Sequence, residues 1–103
     1  MTESVKKGSQ NNLEYDLELL GVNLDNTEKN FVGQELIMLD KRIPKNGKIQ
    51  LQIEKKKNSQ TLHGSLKVSC LNSVIESIQD GANIYQLCKK LSREISGQAY
   101  KII

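Results

Sequence analysis

The sequence predicts an α+β domain of order β-α-β-β-β-α, a four-stranded mixed sheet with two helices packed on one face. Three observations carry this. Apolar and polar residues alternate over 13–19, 49–53 and 62–70, the two-residue period of half-buried strands. Two other stretches each hold one apolar stripe at the 3.6-residue period: Val32, Leu36, Leu39 and Ile43, then Ile84, Leu87, Cys88, Leu91 and Ile95. A strand–helix–strand opening favours a parallel pair with a right-handed crossover, and the hairpins that follow add antiparallel neighbours. A helix with one stripe has one face to bury, so both helices belong on the same side of the sheet.

In order along the chain, residues 1–12 hold only Val5 as a sizeable apolar residue after the starting Met and read as a disordered tail, which leaves 13–103 as one domain. In the first strand Leu13, Tyr15, Leu17 and Leu19 share one face and Glu14, Asp16 and Glu18 the other, with Gly21 marking a bend. Asn26 or Thr27 is placed to cap the first helix, Glu28 lies near its positive end, and Phe31 and Met38 widen its stripe. Pro44 followed by Asn46 and Gly47 stops it, and Gly33 inside it costs up to about 1 kcal/mol relative to Ala. Ile49, Leu51 and Ile53 alternate with glutamines, residues 55–60 form a polar turn, and residues 62–70 return as a hairpin strand. Leu71 and Asn72 turn the chain into a shorter strand over 73–78. Residues 79–81 then open the last helix, and Gly97 is placed to end it.

A length of 103 residues suits a single domain with a modest core. No apolar run approaches the roughly 18–20 residues that span a bilayer, and residues 1–12 have no signal-type segment, so a cytoplasmic protein with no membrane partner is expected. Cys70 and Cys88 fall at apolar positions of their elements, where a free thiol behaves as a small hydrophobe. His63 is the single histidine, too few ligands for a zinc site. There is no Gly-rich phosphate loop, no supported carboxylate pair and no Ser/His or Cys/His arrangement, so no catalysis, cofactor or small-molecule substrate is expected.

Charge is distributed unevenly. Residues 1–26 hold two basic and five acidic side chains, whereas residues 27–103 hold 13 basic and 7 acidic, which predicts a basic face able to meet a polyanion. Lys41 and Arg42 end the first helix, and Lys89, Lys90 and Arg93 lie on the outer sides of the last. Helices packed side by side would make these one convex surface that contacts phosphates in a shape-based, salt-dependent way. A local role competes with this, because cations in the last turn of a helix also meet its negative end.

The order of elements and several runs resemble the ribosome hibernation-promoting factor family, in its short, translation-inhibiting form. Asn26-Thr27-Glu28 through Phe31-Val32, then Leu36 and Leu39-Asp40-Lys41, is similar to the family's capped first helix, and residues 49–70 to its central hairpin. In the last helix Ile84, Leu87 and Lys90-Leu91-Ser92-Arg93-Glu94-Ile95 match its apolar–Lys–Leu–x–Arg–x–apolar pattern. Gln79 stands where the family has Asp, and residues 96–100 interrupt its run of later lysines. The resemblance implies a partner in the small ribosomal subunit and its RNA near the decoding region, and translation blocked by occupancy without chemistry. It makes Lys90 and Arg93 the first binding candidates, then Lys89, Lys41 and Arg42. No second, dimerising domain is expected after the last helix. A protein-binding module or small inhibitor, meeting a basic partner through the acidic sheet face, is the competing reading.

Overall fold

The computed structural model describes residues 6–10, 13–42, 48–70 and 73–102. Its strands are β1 (Lys6–Gln10), β2 (Leu13–Leu20), β3 (Ile49–Glu54), β4 (Leu62–Cys70) and β5 (Ser73–Gly81), and its helices are α1 (Asn26–Arg42) and α2 (Ile84–Ile102). The expected mixed sheet is formed by β2 to β5, with β2 and β3 parallel and the remaining pairs antiparallel. A fifth strand corrects the reading of residues 6–10 as tail. β1 pairs antiparallel with β2 and the sheet order becomes β1-β2-β3-β4-β5. Lys6–Gln10 has no apolar alternation because its pairing rests on backbone groups along the free edge of β2, which leave no side-chain signature.

The core lies between the sheet and the helices. Tyr15 and Leu19, then Ile49, Leu51 and Ile53, then Leu62, Leu66 and Val68, and Ile75 point from the sheet toward Val32, Leu36 and Leu39 of α1. From α2, Ile84, Leu87, Cys88, Leu91 and Ile95 meet them, so the predicted stripe is buried throughout. In α1 the stripe is rotated from expectation. Ile37 is buried while Met38 is 44% exposed, and Phe31 packs at the rim of the core. Ile43 and the stop at 44–47 lie outside the described residues, as does the turn at 71–72.

Both helices start on a capping box the sequence reading placed differently. Asp25 accepts from the Glu28 amide at 2.7 Å and Glu28 from the Asp25 amide at 3.0 Å, so Asp25 is the cap in place of Asn26 or Thr27. Asn83 accepts from the Gln86 amide at 2.9 Å and Gln86 from the Ala82 amide at 2.8 Å. Residues 79–81, expected to open the last helix, instead complete β5, whose pairing with β4 runs to Leu62 opposite Gly81. Gly97 does not end α2: Ala99, at 2% exposure, docks on the core two residues beyond it and carries the helix to Ile102. Gly21 does mark the bend, with φ +71°, and a Cβ there would lie 2.5 Å from the Lys55 carbonyl oxygen.

The helices run in the same direction, because each returns from one of two strands that are parallel to each other, β2 and β5. They lie side by side, α1 toward β1 and α2 over β4 and β5. No described helix is long and apolar enough to cross a membrane.

Candidate nucleic-acid interface

A groove of about 230 Å³ follows the line where α1 and α2 meet, lined by Glu35, Met38 and Arg42 on one side and by Lys89, Ser92, Arg93 and Ser96 on the other. Helical periodicity puts Lys89 and Arg93 four residues apart on one flank of α2. Packing of the two helices then brings Arg42, from the last turn of α1, across from them. Three of the five cationic candidates thus share one solvent-facing surface.

The floor of this groove holds a residue that sequence reasoning missed. Glu35 is 8% exposed, and its carboxylate lies 3.5 Å from the Lys89 ammonium while accepting a long hydrogen bond, also 3.5 Å, from the Ser92 hydroxyl. A buried carboxylate needs such partners to offset the loss of water. Lys89 is also stationed 5.8 Å above the Phe31 ring, and Phe31 meets Tyr85 edge to face with centroids 4.8 Å apart. Its position is therefore set from below by charge and from the side by an aromatic pair. Ser92 is buried against Glu35 at 8% exposure. The signal available in the sequence was the spacing of Glu35 from Val32 and Leu39, three and four residues away on the edge of the stripe.

The other two candidates lie elsewhere. Lys41 is exposed in the last turn of α1 and does not line the groove. Lys90 is on the opposite flank of α2, where its ammonium donates to the Asp80 carbonyl on the outer edge of β5 at 3.0 Å. Gln98 donates to the Glu76 carbonyl of the same edge at 3.1 Å, and Gln79 donates to Glu94 at 2.7 Å. An ammonium has three donors, so Lys90 keeps two for other partners.

Cys88 lies beneath the groove. Burial pushes its thiol up to about 12, and the Glu35 carboxylate adds to the shift, so the thiol is protonated and inert at neutral pH. Among the described residues no cluster of His, Cys, Asp or Glu is arranged to hold a metal ion.

No family model matches the chain, and no curated protein matches its sequence. Solved structures match its fold. The N-terminal domain of Protein Y from Thermus thermophilus superimposes with a TM-score of 0.64 over 84% of this chain and 93% of that one, at 10% identity. A ribosomal subunit interface protein from Coxiella burnetii superimposes with a TM-score of 0.65 over 84% of this chain and 94% of that one, at 15% identity. At such identities the likeness speaks for architecture: this chain has the fold of the Protein Y N-terminal domain and of the ribosomal subunit interface protein, the structural group to which its sequence resemblance pointed.

Proposed function

We propose that the protein is a non-catalytic, cytoplasmic, ribosome-associated factor that binds small-subunit ribosomal RNA through the α1–α2 surface and blocks translation by occupying the site. The observation that carries this reading is the convergence of Arg42, Lys89 and Arg93 on one exposed groove, in a fold shared with a ribosomal subunit interface protein. Lysine and arginine at such a surface neutralise backbone phosphates, and structured RNA is bound largely through its backbone and 2′-hydroxyls. Lys41 and Lys90 extend the same charge beyond the groove on either side. Base stacking contributes little, since Tyr85 is committed to Phe31 and Tyr100 alone stands free of the core, at 86% exposure.

The test is co-sedimentation of the tagged protein with ribosomes through sucrose gradients at low and high salt. Migration with the small subunit or whole ribosome at low salt, lost at high salt and lost in an Arg42→Glu/Arg93→Glu variant, is the expected result. A wild-type protein that stays at the top of both gradients, or a variant that still migrates with ribosomes, overturns the reading. Inhibition of cell-free translation by the wild type, absent in the same variant, tests the occupancy step.

A further inference from the structure

The sheet has helices on one face only. On the other, strand alternation and register build two rows of side chains across four strands: Asp16, Gln50, Lys67 and Glu76, and beside it Glu18, Gln52, Ser65 and Ile78. A shallow trough of about 290 Å³ lies over these rows, with Asp16 and Glu18 at its β2 end and Gln50, Gln52 and Ser65 along its middle. From Tyr15 to Gly81 this face carries five carboxylates, those two with Glu54, Glu76 and Asp80, against Lys48 and Lys67, and the β1 register adds Lys7 opposite Asp16 and pairs Glu14 with Ser9. Lys48 and Lys67 are already matched: Lys48 lies 3.6 Å from Asp16, and Lys67 lies 3.8 Å from Glu76. The whole chain is +3, so this acidity is local and opposes the chain's overall charge.

Glu76 closes the β5 end of the trough, and two exposed aliphatics flank it on that strand. Ile78, directly opposite Ser65, is 68% exposed, and Val74 on the same face is 69% exposed. Single surface aliphatics are ordinary, but Ile78 ends the same cross-strand row that Glu18 begins. A nucleic acid does not fit here. Phosphates are repelled by the carboxylates, and the exposed aromatics, Tyr85 and Tyr100, both belong to α2.

We propose that this face is a second docking surface whose occupant is an extended, basic segment of a protein, with an arginine or lysine over Asp16 and Glu18 and an aliphatic side chain against Ile78. Strand spacing sets its pattern. Ile78 is three strands from Glu18, about 14 Å at roughly 4.8 Å per strand, and an extended chain advances about 3.4 Å per residue. The basic and aliphatic residues are therefore four positions apart, which also puts them on the same side of the extended segment. The carboxylates of Asp16 and Glu18 supply charge complementarity and Ile78 supplies burial. This surface is independent of the helical groove, so the molecule can hold RNA on one side and protein on the other.

The experiment is an NMR titration of the isotopically labelled full chain with a synthetic peptide that carries arginine and leucine four residues apart in a Ser/Gly/Thr background. A second peptide, with the same residues five apart, puts them on opposite sides. Expected are amide shift changes confined to the open face of β2 to β5, with the five-spaced peptide at least threefold weaker. Asp16→Asn/Glu18→Gln should weaken binding at least threefold and flatten its salt dependence. Ile78→Ser should weaken it with the salt dependence kept, and Lys89→Glu/Arg93→Glu should leave it unchanged. Equal affinity for the two peptides, full binding by Asp16→Asn/Glu18→Gln, or shifts centred on α1 and α2 would overturn the proposal. All these positions lie outside the core, and unchanged core amide signals verify that each variant is folded. Ribosome co-sedimentation reads the other surface, so either result can fail without the other.

Discussion

Glu35, Lys89 and Cys88 show how much depends on a single buried carboxylate. Glu35 fixes Lys89 from below and helps hold the Cys88 thiol protonated. The thiol's pKa lies above its ordinary value of 9.0, so its contribution to stability is present below about pH 9 and is lost as pH rises toward about 12. In urea titrations the unfolding free energy should fall by up to about 1.4 kcal/mol per pH unit across that window. A Cys88→Ala variant, less stable at neutral pH, should show a shallower fall. Two glycines give a second contrast. A Cβ on Gly81 would lie 2.8 Å from the Leu87 backbone nitrogen, whereas one on Gly97 meets nothing within 4 Å. Gly81→Ala should destabilise by about 1–3 kcal/mol, as a forced contact in a packed region does. Gly97→Ala, in an exposed helical position, should stabilise by about 0.5–1 kcal/mol. Thermal unfolding of the two variants side by side checks both signs.

At the scale of elements, periodicity made most of the fold legible. Ile49–Glu54 alternates buried and exposed as its sequence does, and every residue of the Ile84-to-Ile95 stripe is buried. What stayed illegible depended on tertiary partners. β1 is held by the edge of β2, β5 is drawn out to Gly81 by β4, and α2 continues past Gly97 because Ala99 docks on the core. The site follows the same division. Lys89 and Arg93 fall together by helical spacing, but Arg42 joins them only through the packing of α1 on α2, and Lys90 is drawn aside by a strand end that the sequence reading left too short. The capping boxes at Asp25 and Asn83 are local and were readable as Asp-x-x-Glu and Asn-x-x-Gln. Asp25→Ala and Asn83→Ala should each cost about 1 kcal/mol by chemical denaturation, with the groove's chemistry untouched.

Across the described residues, cations are in surplus on the helical side of the sheet and carboxylates on the open side. A polyanion therefore meets the protein in one orientation, with the helices toward it. If three groove cations contact phosphates, removing two of them should lower the slope of log affinity against log salt by about 1.4–1.8, at 0.7–0.9 per contact for single- and double-stranded partners. Arg42→Glu/Arg93→Glu is the cleaner probe of this, because Lys90 is also tied to β5.

That tie has its own consequence. An outermost strand ordinarily presents unpaired carbonyls on which strands from other molecules can stack, the usual start of amyloid-like growth. Along β5 the side chains of Lys90 and Gln98 already occupy two of those carbonyls, so α2 closes the sheet on that side much as a further strand would. The protein should stay monodisperse on long storage at high concentration. A Lys90→Ala/Gln98→Ala variant, its core intact, should bind thioflavin and scatter light over the same period.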